Sequence, residues 1–231
     1  MHMHFTKEGS GTKQLVLLHG WPGDLHKWDA LVSLLKDRYT LYRIDFAGWG
    51  GTPLTRAYTL EDYAEDVRAF MKEERIVRPI IVGHSFGGRV AIKLVSSDPA
   101  LAEKLILIAS AGIERKSLVV RTLLGLKGFV PNFIKKFMRP LVASPDYLQL
   151  SGEKRETFVN VISENLESLL HKITTPTLLI WGRHDHLTPL SQGRLMEKRI
   201  PMNRFVLISE GDHGIPYRSP KEVARAIIDF V

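Results

Sequence analysis

Gly83-His84-Ser85-Phe86-Gly87-Gly88 decides the fold. The apolar run Ile80-Ile81-Val82 precedes it, and in the following stretch, Arg89 to Ser97, Val90, Ala91, Leu94 and Val95 recur one turn apart. Ser85 is therefore predicted on a turn between a buried strand and a helix. G-x-S-x-G in that setting is a nucleophile elbow, a sharp turn that exposes a serine oxygen in a strained backbone conformation. Small residues at Gly83 and Gly87 let neighbouring backbone pack close. A free hydroxyl is a poor nucleophile and needs a base. Alone, the pentapeptide fits equally a tight turn whose glycines serve packing, so its partners must decide.

Upstream, Leu15-Val16-Leu17-Leu18 reads as a buried strand running into the loop His19-Gly20-Trp21-Pro22-Gly23. Leu25 to Leu35 has helical spacing, and Thr40 to Ile44 reads as a strand ending at Asp45, before a Gly/Pro/Thr loop from Phe46 to Thr55. Thr59 and Asp62 form a capping-box pattern ahead of a one-faced helix carrying Leu60, Tyr63, Ala64, Val67, Phe70 and Met71. Downstream, Leu105 to Ala109, Thr177 to Trp181 and Phe205 to Ile208 read as strands. A second capping box, Ser219 to Glu222 with Pro220 at the first position, opens the last helix. Apolar strands alternating with helical patterns indicate an α/β fold, a doubly wound, mostly parallel sheet of about six to eight strands covered on both faces. Sites in such sheets gather at the carboxyl ends of the strands, where all these loops lie.

The rhythm breaks between about residues 113 and 172, which read as short helices punctuated by glycine and proline. This is taken as a helical cap inserted into a single domain, with the core at about residues 1–112 and 173–231. From Arg115 to Arg155 there are nine basic and two acidic residues, a difference of +7 that equals the formal charge of the 231-residue chain. Phe133, Ile134, Phe137 and Met138 share one helical face there, so Phe133 and Phe137 are candidate pocket residues with Trp21 and Phe86. Lys135, Lys136 and Arg139 fall mostly on another face. That basic face is read first as solvated, and second as a rim attracting anionic substrates or a membrane surface. Nucleic acid is not expected as a partner. With no cysteine, neither disulfides nor thiolate chemistry is available. Neither an apolar leader nor a run of about 18 apolar residues is seen, so the chain is read as cytoplasmic.

The base and its acid come from two further loops. Trp181-Gly182-Arg183-His184-Asp185-His186 follows one predicted strand, and Gly211-Asp212-His213-Gly214 follows the last. Ser85, Asp185 and His213 thus occur in the chain order of the elbow class. In that reading His213 takes and returns the proton while Asp185 holds the imidazole tautomer. The oxyanion donors would be the backbone N–H of Phe86 and that of Trp21. Asp45 is held in reserve as the acid and otherwise closes its glycine-rich loop. His184 with His186, or His2 with His4, could suggest a metal, but no spaced ligand motif supports one. His84 is read as packing and His19 as shaping its loop.

The His19-Gly20 loop, the Asp45 to Thr52 loop, the elbow and the strand-linked Asp185 and His213 together resemble the α/β-hydrolase superfamily. The resemblance covers most of the chain. It implies an eight-stranded sheet, a lid after the sixth strand and no cofactor. Only about fourteen residues precede the first core strand, so a shortened sheet is expected, with six strands and a ragged start. Relatives with an aspartate nucleophile dehalogenate or open epoxides, whereas this chain has Ser85. Where some members place the acid after the sixth strand, this one reads Ala109-Ser110-Ala111. The resemblance implies a serine hydrolase acting on small-molecule carboxylic esters. Thioesterase, lactonase, carbon-carbon bond hydrolase and perhydrolase activities on the same three residues stand beside that reading. From another class, so does a receptor-like binding module with little turnover.

Overall fold

The computed structural model describes residues 3–113 and 150–231. Within them seven strands form one sheet: β1 (Phe5–Glu8), β2 (Gln14–Leu18), β3 (Thr40–Ile44), β4 (Ile80–His84), β5 (Lys104–Ile108), β6 (Thr177–Gly182) and β7 (Asn203–Ile208). Their order is β1-β3-β2-β4-β5-β6-β7. β1 runs antiparallel to β3 and every other pair is parallel. Successive side chains of a strand point to opposite faces, which divides the core in two. Val16, Leu18, Ile81, Leu105, Leu107, Leu179 and Trp181 pack on one face. Leu15, Leu17, Ile80, Val82, Ile106, Ile108, Leu178 and Ile180 pack on the other.

Helices cover both faces. α1 (Asp29–Leu35), α2 (Leu60–Glu73) and α3 (Phe86–Ser97) come from the first half of the chain. α4 (Gly152–Ser163), α5 (Leu190–Arg199), α6 (Ile215–Arg218) and α7 (Pro220–Ile228) come from the second. The predicted box at the head of α2 is formed: Asp62 N–H donates to Thr59 Oγ1 at 3.2 Å, and Thr59 N–H to Asp62 Oδ2 at 2.7 Å.

The stretch before the first core strand holds β1, so the sheet has seven strands, within the six to eight expected and one more than the six of a shortened start. As an edge strand it needs no apolar run, and its anchor is the ring of Phe5, 5.0 Å from that of Phe70. The helix predicted over Leu25 to Leu35 begins as a 3₁₀ turn, Leu25–Trp28, and becomes α-helical at Asp29. The predicted Ser219–Glu222 box is not formed, because Ser219 N–H donates to Ile215 O and closes α6. Its backbone (φ −127°, ψ 49°) therefore departs from the extended N-cap shape that aims a side chain back at the helix. Of the cap placed at 113–172, residues 114–149 lie outside the described residues. The remainder contains α4 and a 3₁₀ segment, Glu167–Lys172.

Asp45 ties three segments together at the carboxyl edge of β3. Its Oδ1 accepts from Leu25 N–H at 2.7 Å, and its Oδ2 from Gly51 N–H at 2.8 Å and His4 Nδ1 at 2.6 Å. Gly50 lies so close that a Cβ there would meet Asp45 Oδ2 at 2.0 Å. Burial pushes the Asp45 carboxyl up, but the bonds from Gly51, His4 and Leu25 outweigh it and hold it below the usual carboxylate range. A depressed native pKa contributes stability above the unfolded value of about 3.9 and loses it as pH falls through the native value. Asp45→Asn should therefore lower the unfolding free energy at pH 7 by about 2 to 3 kcal/mol. In urea titrations, the gap to wild type should narrow as the pH drops below the carboxylate range. A gap that does not change with pH would remove charge from this account.

Candidate active site

Ser85 ends the turn between β4 and α3 with φ 51° and ψ −111°, a left-handed conformation in which a side chain is strained. Neighbouring backbone over-determines it. Ser85 N–H donates to Ile108 O at 3.1 Å, and Ser85 O accepts from Ala111 N–H at 3.0 Å and Gly88 N–H at 3.1 Å. Glycine is required on either side: a Cβ on Gly83 would lie 2.5 Å from Gly87 O, and one on Gly87 would lie 2.0 Å from Leu18 O.

His213 follows β7 and reaches Ser85, its Nε2 lying 2.9 Å from Ser85 Oγ. Its Nδ1 lies 2.9 Å from Asp185 Oδ2. With Nδ1–H donated to a carboxylate, the Nε2 lone pair is left facing the serine hydroxyl, the arrangement a general base needs. Asp185 is buried after β6, where its Oδ1 accepts from Leu187 N–H at 2.9 Å and Thr188 N–H at 2.8 Å. Burial raises its pKa, but the bonds from His213 and Thr188 outweigh that and the net direction is down. Asp185 is thus a carboxylate at neutral pH.

Thr188 was not singled out in the sequence. Its Oγ1 lies 2.8 Å from Asp185 Oδ2, 3.2 Å from His213 Nδ1 and 3.0 Å from Ala109 O. Its carbonyl accepts from Trp181 Nε1–H at 2.7 Å, which pins the Asp185 loop to the core. A threonine in a loop has no pattern of its own; only its spacing of three from Asp185 could have marked it, as the return bond of a tight turn.

The neighbouring histidines have other duties. His84 donates from Nε2 to His213 O at 2.9 Å, and burial takes its pKa down to about 3, so it adds no charge beside His213. His19 donates Nδ1–H to Gly20 O at 2.8 Å and accepts Phe46 N–H on Nε2 at 3.1 Å, which joins the first two loops. Asp45 bonds to its own loops and to His4, as described above, rather than to His213. Among the described residues no group of three or more His, Asp or Glu side chains is placed to hold a metal ion, and no helix is long and apolar enough to cross a membrane.

A cavity of about 210 Å³ opens on Ser85 and His213. Trp21, Phe86, Phe158, Val161 and Ile162 are among its apolar lining, the last three from α4. The Trp21 ring meets those of Phe86 and Phe158 at 5.5 Å each, and that of Trp49 at 4.8 Å. Arg89, one turn into α3, donates from Nη2 to the carbonyl oxygens of Ile162 and Glu164 and so fastens the end of α4 over the cavity. The N–H groups of Trp21 and Phe86 have no acceptor among the described residues. Phe133 and Phe137, the other pocket candidates, lie outside the described residues, as do most of the basic positions between Arg115 and Arg155.

The chain and its mostly parallel sheet have counterparts among known proteins. A model of the alpha/beta hydrolase family matches residues 15–226, and the chain belongs to that family. By class it is a hydrolase. It is 28% identical over 246 residues to the pimeloyl-(acyl-carrier protein) methyl ester esterase of Aeromonas hydrophila, covering 94% of each chain. It is 22% identical over 250 residues to the uncharacterized hydrolase YugF of Bacillus subtilis, covering 97% of this chain and 92% of the other. Among solved structures, the bromoperoxidase from Bacillus anthracis superposes with a TM-score of 0.78 at 22% identity, over 99% of this chain and 94% of that one. The enol-lactonase from Burkholderia xenovorans gives 0.77 at 21% identity, over 99% and 95%. At such identities the superpositions bear on the fold alone.

Proposed function

We propose that the chain is a serine hydrolase that cleaves carboxylic esters through an acyl-Ser85 intermediate. The observation that carries this reading is the unbroken relay from Ser85 Oγ through both ring nitrogens of His213 to Asp185, each link 2.9 Å, opening on an apolar cavity. Ser85 Oγ attacks the ester carbon while its proton passes to His213 Nε2. The oxyanion is met by the N–H groups of Trp21 and Phe86, which stand ready before charge develops. The carbon–oxygen bond to the alcohol then breaks, and the departing oxygen takes the proton from Nε2. Water, deprotonated by the same nitrogen, attacks the acyl carbon and frees Ser85 and the acid. Supporting the ester reading is the Aeromonas relative, whose name is that of a methyl ester esterase.

In this reading residues 113–172 are the cap, and α4 forms its inner wall. A cavity of about 210 Å³ has room for about seven heavy atoms at about 30 Å³ each. Across a series of p-nitrophenyl esters, kcat/KM should rise roughly three- to fourfold per methylene from acetyl to about hexanoyl, at about 0.8 kcal/mol per buried methylene. Beyond octanoyl it should fall. A steady rise to dodecanoyl would exclude this cavity as the acyl site, and no turnover of any ester would exclude the function.

A further inference from the structure

A second cavity, of about 160 Å³, shares Ser85, His213, Trp21 and Leu187 with the first but is otherwise walled by different residues. Those peculiar to the first are mainly apolar, and the cation among the described residues that line it, Arg89, donates to the carbonyls of Ile162 and Glu164 at the end of α4. The second has Lys27, His84 and Tyr217 in addition to Gly20 and Pro22. His84 is neutral and committed to the carbonyl of His213, so among the described residues that line this cavity Lys27 is the cation. Its ammonium lies 5.6 Å from the centre of the Tyr217 ring, and among the described residues no carboxylate lies within 4 Å of it.

The two halves of an ester place different demands on a site. An acyl group stays bonded through both chemical steps and gains from a dry enclosure. The alcohol must leave, and water must take its place beside His213 Nε2. A cavity lined by His213 and Ser85, more polar than the first and with an exposed cation in its wall, suits the second task.

We propose that the second cavity receives the leaving group and that Lys27 selects one bearing a negative charge, so that the favoured substrates are esters whose alcohol or phenol half carries a carboxylate. This rests on the ester-hydrolase reading. When the carbon–oxygen bond breaks, the oxygen takes its proton from His213 Nε2 and the anionic alcohol departs past Lys27, while the acyl group remains on Ser85.

The test compares 4-(butanoyloxy)benzoate with 4-(butanoyloxy)benzamide, two phenyl esters of nearly equal size that differ in the charge of the leaving group. The ratio of their kcat/KM values should fall five- to tenfold in Lys27→Met and further in Lys27→Glu. In wild type the ratio should shrink as salt screens the exposed ammonium. A monomethyl dicarboxylate, charged on its acyl half, set against its neutral dimethyl ester should give the same ratio in wild type and Lys27→Met. An unchanged benzoate-to-benzamide ratio would overturn the role of Lys27, and a change confined to the acyl-side pair would overturn the assignment of the cavities. Binding of 4-hydroxybenzoate against 4-hydroxybenzamide to Ser85→Ala reads the same preference without turnover. If no ester is hydrolysed but this binding is selective and depends on Lys27, the hydrolase reading fails and the anion site stands. Unselective binding overturns the anion site.

Discussion

Ser85→Ala is expected to lower kcat for p-nitrophenyl butanoate by roughly 10⁶-fold, the scale at which losing the nucleophile removes the whole relay. The same variant should take up no adduct from a fluorophosphonate. In wild type, Ser85 Oγ displaces fluoride from phosphorus, its proton passes to His213, and intact-protein mass rises by one phosphonyl group. The reagent demands an activated serine and little else, so the pair of readouts ties turnover to a single oxygen. Folding should be spared, because alanine fits the same space and inherits the same φ of 51°. Glycine there should be more stable than alanine by about 1 kcal/mol, since it occupies the left-handed region without strain. Adduct formation and ester turnover that survive in Ser85→Ala would place the chemistry elsewhere.

Asp185→Asn should lower kcat by roughly 10⁴-fold with little change in fold. The carboxylate accepts from Leu187 N–H and Thr188 N–H on one oxygen and faces His213 Nδ1 and Thr188 Oγ1 with the other. An asparagine that keeps its oxygen on the two backbone donors must present its NH₂ to Nδ1. The ring then carries its proton on Nε2 and can no longer accept from Ser85 Oγ. Asp45→Asn, by contrast, should affect stability far more than rate, since Asp45 holds loops rather than the ring. The two variants, assayed side by side on one ester, separate the carboxylates. A near-wild-type rate in Asp185→Asn would show that another acid orients His213.

What could be read from the sequence follows from what leaves a local signature. Fully buried parallel strands are continuous apolar runs, and β2 to β6 appeared as such to within a residue or two. Glycines forced by close backbone packing at positions 83 and 87 marked the turn. Ser85, Asp185 and His213, in hydrogen-bond contact in the order Ser85–His213–Asp185, could be picked out because each stands on the turn or loop after a strand. β1 was invisible for the opposite reason: one edge is open and only Phe5 reaches a ring of α2. Ser219 misled because its sequence context spoke for α7 while its backbone belongs to the turn ending α6. Thr188 and Lys27 left no pattern, for their importance lies in distances between segments far apart in the chain. Leu25 to Leu35 looked like one helix because periodicity does not register a change of winding at Trp28.

The bond between Ser85 and His213 joins residues 128 positions apart, and the histidine stands on the loop after the edge strand β7. At about 5 to 20 residues per second, a growing chain holds its serine for roughly 6 to 26 s before that histidine has even been made. Through that interval the hydroxyl has no base and is chemically quiet, although the turn that strains it can already have formed. The contact thus forms late, when β7 adds to the sheet, and in the hydrolase reading the serine gains its base last of all.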